Sequence, residues 1–219
     1  MTYKIIPYDP DLVAGWNMVQ GPAGTVQDVG SGGYAVDLFG SHIQRKSGVD
    51  FDGVTGYGKN SALDNWPNGK GAMTLLAVLD YTNADVSPDR IAVGWYFIEL
   101  TSIKTTNGYI QFAVRAASTQ TVQSDVMWND GKKHFVMGTY DSAAGSNNVN
   151  LFIDGVKQTV PKSNTGNMVS TSKFNIAARN DASSSTYCFD GTIHNAAIYN
   201  KAKSQAWYEQ EFNRFKLSL

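Results

Sequence analysis

Residues 132–158 constrain what this chain can fold into more than any other stretch. Phe135, Met137 and Thr139 share one side of a first extended segment, and Val149, Leu151 and Ile153 share one side of a second. A period of two places successive side chains on opposite sides of a sheet, so both segments are expected to be half-buried strands. A small polar loop, 141–148, separates them. Asp154-Gly155 then supplies a two-residue turn into a third strand, because Gly accepts a positive φ without steric cost. The stretch predicts antiparallel β structure.

The remainder of the chain repeats this grammar. Residues 12–19, 49–57, 73–81, 90–102, 109–116, 121–128, 174–178 and 187–199 read as strands, with Asn107-Gly108 and Asn129-Asp130-Gly131 as further turns. Residues 21–33 and 61–71 read as loops. Strands never alternate with helical patterns, which excludes a parallel α/β sheet and points to a sandwich or jelly roll. A single helix is expected over 204–215. Ser204 is a suitable N-cap, and Tyr208, Phe212 and Phe215 lie on one face for packing at the sandwich edge. Pro7 and Pro10 oppose a helix at the start, so residues 1–11 read as an extended arm. With neither repeat nor linker, residues 1–219 read as one domain.

Composition removes several functional classes. The net charge is −1 with no run of one sign, which excludes a strong electrostatic attraction to nucleic acid or anionic membrane. No apolar run reaches the roughly 18 residues of a membrane-spanning helix. The first residues lack the apolar stretch of a secretory signal. Cys188 is the only cysteine, so no intrachain disulfide is expected. Folding in a reducing cytoplasm fits these features, and so does a virion component made there; extracellular placement would require a signal already removed.

Catalytic constellations are thin. The only glutamates are Glu99, Glu209 and Glu211. Retaining glycoside hydrolysis needs two carboxyls about 5–5.5 Å apart. Glu99 has no carboxylate within nine residues on either side, and Glu209 and Glu211 diverge on the expected helix. Asp52, Asp130, Asp154 and Asp190 each precede Gly and read as turn formers. His42, His134 and His194 are isolated, and no nucleophile elbow or phosphate loop is present. No enzymatic activity is expected. Sugars are bound by aromatic faces flanked by planar hydrogen-bonding groups. That combination occurs at Trp66 with Asn68 and at Trp128 with Asn129. Trp95 and Tyr96 are adjacent in a strand and are expected to face opposite ways, one inward and one exposed to a ligand.

These segments, in this order, resemble a laminin-G-like domain of the concanavalin A-like lectin/glucanase superfamily. The resemblance rests on Gly15-Trp16, Asp28 through Gly33, the Phe51-Asp52-Gly53 segment ending at Tyr57, and Met73 through Leu75. It continues through Asp130 to Asp141, Val149 to Val156, Phe189 to Ile193, and Ala197 to Ser204. It implies a two-sheet antiparallel jelly roll. It also implies calcium held by loop oxygens, for which Asp28 and Asp181 are the candidates. Lys133 stands where the family usually has Trp, with Trp128 near enough in sequence to fill that space, and His194-Asn195 replace the usual Asp-Glu pair. The superfamily includes lectins, adhesive modules, glycoside hydrolases and virion proteins. The expected function is a non-catalytic binding or adhesion module for a glycan or a protein surface, as in a phage or virus decoration, fibre or receptor-binding protein. The alternatives are a purely structural virion subunit contacting other virion proteins or its own copies, and a divergent glycoside hydrolase.

Overall fold

A computed structural model describes residues 9–20, 24–82, 90–96, 98–103, 108–179 and 187–217. Among the described residues there are sixteen strands and one α-helix. In chain order the strands begin with β1 (Leu12–Gln20), β2 (Thr25–Asp28), β3 (Val36–Phe39), β4 (His42–Arg45), β5 (Gly48–Asp52) and β6 (Tyr57–Lys59). They continue with β7 (Ala72–Asp80), β8 (Arg90–Trp95), β9 (Ile98–Ile103), β10 (Tyr109–Arg115) and β11 (Thr119–Gln123). The last are β12 (His134–Asp141), β13 (Val149–Ile153), β14 (Val156–Lys157), β15 (Asn175–Ile176) and β16 (Asp190–Tyr199), followed by α1 (Gln205–Lys216).

The strands form two layers, as the sequence predicts. In the first the order is β14-β13-β12-β7-β16-β1, with β5 beside the first half of β16 and β4 beside β5. In the second the order is β11-β10-β9-β8-β15-β6-β3-β2. All pairings between these strands are antiparallel. The layers are not separate sheets: β1 pairs with β2 at Trp16–Asp28 and Gln20–Val26, so the ladder runs on from one layer into the other. The irregular register there lets the ribbon bend.

One apolar core fills the space between the layers. It takes Met73, Leu75, Ala77 and Leu79 from β7, Val136 and Tyr140 from β12, and Ile110, Phe112 and Val114 from β10. Trp16 stacks on Phe174 at 5.3 Å between ring centroids, and Phe174 meets Trp95 at 5.0 Å. Gly138 on β12 lies directly under the Phe112 ring, where any Cβ would collide with it.

Four expectations change. β12 is buried on both faces rather than one, because α1 covers its outer side. Phe135 and Met137 thus pack with Tyr208, Phe215, Leu76 and Tyr199, and the helix sits on the sheet face and not at the sandwich edge. Ser204 caps α1 as expected, accepting from Trp207 N at 3.2 Å. The segment 90–102 is two strands, since Trp95 pairs with Ile98 across a tight turn. β2 forms inside the expected 21–33 loop. Of the expected arm, residues 1–8 lie outside the described residues; Asp9 and Asp11 hold the Lys203 ammonium at 2.7 and 2.9 Å.

Candidate functional site

The outward face of the second layer carries a polar cluster built on Glu99. On β9, Ile98 and Leu100 enter the core, so Glu99 between them points away from it. Glu99 is nevertheless only 2% exposed. It is covered by Arg179, whose Nη2 donates toward its Oε1 at 3.4 Å. The Arg179 guanidinium lies 4.4 Å from the centre of the Tyr96 ring and 4.5 Å from that of Tyr187. Both are cation–π distances.

The backbone fixes this arrangement. Just after β15, Ala177 donates to Ala92 O at 2.9 Å and accepts from Phe189 N at 2.8 Å. These bonds hold Ala177 at φ 64°, and Tyr187 stands at φ 77°, with its carbonyl accepting from Ile91 N. Each such conformation costs a non-glycine residue about 1–3 kcal/mol and persists only where surrounding contacts impose it. Two strained residues thus bracket the arginine. Chemically, the cluster presents a planar guanidinium packed against two half-buried tyrosines, with the carboxylate beneath it closed to solvent. Across the ladder Glu99 faces Ala113 on β10 and Gly94 on β8, so no second carboxylate stands opposite it.

The residues singled out in the sequence fall in three separate places. Tyr96 belongs to the arginine cluster, half-buried just beyond β8. Trp95 does not: it is 1% exposed and donates Nε1–H to Leu63 O at 2.8 Å, so the expectation that it meets a ligand is corrected. Its side chain fills the core because β8 aligns it with Val93. Trp66 is half-buried, stacked on Trp95 at 5.9 Å with Lys70 Nζ 5.2 Å from its centre. Asn68 beside it is exposed and accepts from Ser170 N at 3.4 Å.

Trp128 and Asn129 occupy a third place. The Trp128 ring meets His134 edge-on at 4.9 Å, and its indole Nε1 is buried without a hydrogen-bond partner among the described residues. The Asn129 side chain packs over Gly108. His134 directs Nδ1 at Asp154 Oδ2, 2.7 Å away, and Nε2 at Asp130 Oδ1, 2.9 Å away. Burial pushes this imidazole down, yet Asp154 and Asp130 together push it up further, and its pKa stands above the ordinary value. Asp154 also accepts from Phe135 N at 2.8 Å. The trio therefore staples two turns to the start of β12.

Of the two calcium candidates, the structure describes only Asp28. Asp28 lies in β2, and its carboxylate is engaged by three backbone donors: Gly15 N at 2.9 Å, Gly30 N at 2.8 Å and Tyr34 N at 3.0 Å. Calcium needs six to eight oxygens converging on one point. Asp181 lies outside the described residues. Among the described residues no group of three or more His, Cys, Asp or Glu is placed to hold a metal. Cys188 is 1% exposed, and burial above all pushes its thiol up to about 11, which suppresses the thiolate.

Comparison with known proteins bears on the fold. A laminin G family model, described as concanavalin A-like lectin/glucanases superfamily, matches residues 52–207. The chain belongs to that superfamily. No curated protein sequence matches it. Among solved structures, Trypanosoma rangeli sialidase in complex with sialic acid superposes with a TM-score of 0.66 at 17% identity, over 98% of this chain and 34% of that one. A mutant of the same sialidase displaying trans-sialidase activity gives 0.70 at 15% identity, over 94% and 33%. The binding domain of botulinum neurotoxin serotype D/C gives 0.62 at 12% identity, over 93% and 52%. The superfamily member described here thus spans about a third of the sialidase chains and about half of the neurotoxin chain. At these identities the likeness is one of fold.

Sequence reasoning missed Arg179 and Tyr187 and weighed Glu99 only as an acid. One signal was available: a lone carboxylate between Ile98 and Leu100 in an apolar strand must sit on the opposite face and needs a cation there.

Proposed function

We propose that this chain is a non-catalytic glycan-binding module whose site is the Arg179 cluster on the outward face of the second layer. The carrying observation is the guanidinium held between the Tyr96 and Tyr187 rings above the Glu99 carboxylate. Tyrosine rings set about an arginine donor match the apolar faces and hydroxyl edges of a sugar ring. The fold is shared with a sialidase solved with sialic acid and with a neurotoxin binding domain, which supports recognition of glycans or receptors as the class.

A glycan array probed with the wild type, Tyr96→Ala and Tyr187→Ala tests this. Binding by the wild type, weakened about tenfold or more in both variants, is expected. An array without a single bound glycan overturns the reading. Self-association in sedimentation alongside that result would favour the structural-subunit alternative. Release of reducing sugar from a bound glycan, lost in Glu99→Gln, would overturn the non-catalytic assignment.

A further inference from the structure

Both ring nitrogens of the buried His134 face carboxylates, Nδ1 toward Asp154 Oδ2 at 2.7 Å and Nε2 toward Asp130 Oδ1 at 2.9 Å. An ionised carboxylate only accepts, so in this arrangement both nitrogens carry protons and the ring is an imidazolium. Asp130 is ionised: burial raises its pKa, but the Lys132 backbone N–H, His134 and the Lys132 ammonium bring it down to about 2. Beside the imidazole stands Trp128, edge-on at 4.9 Å between ring centroids. Its indole Nε1 is buried without a hydrogen-bond partner among the described residues. Such an orphan donor is rare in a folded chain and calls for a reason.

Loss of one proton breaks the symmetry. A neutral imidazole keeps one N–H and turns a lone pair toward the other partner. The two carboxylates are not equally free to leave. Asp154 is held: its Oδ1 accepts from Phe135 N at 2.8 Å, and its turn is fixed by Gly155 N donating to the Tyr208 hydroxyl at 3.3 Å. Asp130 is looser: its side chain is 45% exposed, and its Oδ2 lies 3.1 Å from the exposed Lys132 ammonium. Nδ1 therefore keeps its proton for Asp154, and Nε2 is the nitrogen that loses one. The remaining titratable groups around the trio do not compete. Tyr81, just beyond β7, donates to Gly108 O at 2.6 Å, and Tyr208 on α1 donates to Phe135 O at 2.6 Å. Burial above all holds both hydroxyls protonated. A bare lone pair at Nε2 thus has one unengaged donor at hand, the Trp128 indole N–H.

We infer that His134, Asp130 and Trp128 form a two-position latch worked by one proton: the charged ring donates Nε2–H to Asp130, and the neutral ring accepts there from the Trp128 indole while Asp130 swings out to solvent. The low-pH position draws the 129–131 turn onto the start of β12. The high-pH position frees a carboxylate at the surface, close in sequence to the exposed Val126 and Met127. Burial weakens the hold of the ring on its proton and the two carboxylates strengthen it further, so the change falls above the ordinary histidine value of 6.5. The latch does not depend on a glycan binding at the Arg179 cluster.

Nuclear magnetic resonance of the whole chain, titrated across about pH 5–9, follows the His134 ring and the Trp128 indole N–H together. The indole signal is identified as the one missing in Trp128→Phe. It is expected to move downfield as the pH rises, with the same midpoint as His134, because a donor gains an acceptor there. Trp128→Phe removes the donor that stabilises the neutral ring, so the proton affinity of His134 should rise about three- to tenfold. Asp130→Asn removes the opposing charge, and the His134 and indole midpoints should fall together. An indole signal that stays put while His134 titrates, or a His134 proton affinity untouched by Trp128→Phe, overturns the latch and leaves the trio a fixed staple. A His134 that holds its proton until the chain unfolds overturns it as well. Should Trp128→Phe not fold, the indole titration compared between wild type and Asp130→Asn decides alone: midpoints that move apart overturn the latch.

Discussion

The two outward faces of this sandwich follow the same strand alternation and meet opposite fates. On the first layer, Leu76, Val78, Phe135, Met137 and Phe152 point away from the inter-layer core, and α1 closes over them with Tyr208 and Phe215. On the second layer, the equivalent positions hold Glu99, Gln111, Thr121, Asn175 and Lys59, and among the described residues no helix lies over them. Apolar side chains on a sheet's back call for a cover, whereas Gln111, Thr121 and Lys59 stay half-exposed, although Glu99 and Asn175 are themselves covered. The contrast ties stability to the helix-covered face and leaves the other as the place of the proposed binding site.

The assignment can be broken most sharply at Phe135, which meets Tyr208, Phe212 and Phe215 within 5.3–6.2 Å. Phe135→Ala should cost about 3–5 kcal/mol in urea unfolding and leave intrinsic glycan affinity unchanged in the folded fraction. A drop in affinity beyond the folded fraction would join the two faces. On the other side, Arg179→Ala strips the covered Glu99 carboxylate of a charged partner, so a loss of about 2–3 kcal/mol is expected together with a loss of binding. In the background of Glu99→Gln the stability cost should shrink while the binding loss remains; unfolding curves paired with titrations read both.

A third prediction separates the faces by pH. His134 has a raised folded pKa, so its contribution to stability is fully present below its unfolded value near 6.5. It is lost as pH rises through the higher folded value. His134→Gln should remove that decline and cost about 1–3 kcal/mol at pH 6, read from unfolding midpoints across a pH series. Asp52 behaves in the opposite sense. Burial raises its pKa, but backbone N–H groups of Thr55, Gly56 and Val54 and the Thr55 hydroxyl bring it down to about 2. Its stabilisation should hold above its unfolded value near 3.9 and fade as pH falls toward about 2. The smallest effect is expected at Phe39: the Ala variant should unfold within about 0.5 kcal/mol of the wild type. A larger shift would make the Phe39–Tyr57 stack part of the stabilising framework.

The fold was legible because its signals are local. Alternation in 132–158, the Asp154-Gly155 turn, which adopts φ 48° and 87°, and the Ser204 cap each act within a few residues. β2 was not legible, since its four residues fall in a Gly-rich stretch. The split of 90–102 carries no turn residue near Tyr96, and the bend shows only as Gly94 at φ 139°. Trp95 and Tyr96 were separable into inward and outward in principle, but which was which depended on a register set by β9. Arg179 was invisible for a different reason. It is brought to Glu99 by Ala177 and Tyr187 at positive φ, a conformation that sequence advertises through Gly or Asn and here assigns to neither.

The continuous ladder through β1 and β2 leaves this ribbon with two main ends, β11 and β14, and one side branch, β4. β14 is two residues long and carries Lys157; β11 reads Thr-Gln-Thr-Val-Gln; β4 ends in Arg45. Short, polar or charged margins discourage a neighbouring chain from adding its own strand. Among the described residues, then, no long bare edge is offered, and crowding of molecules would not by itself seed a fibre.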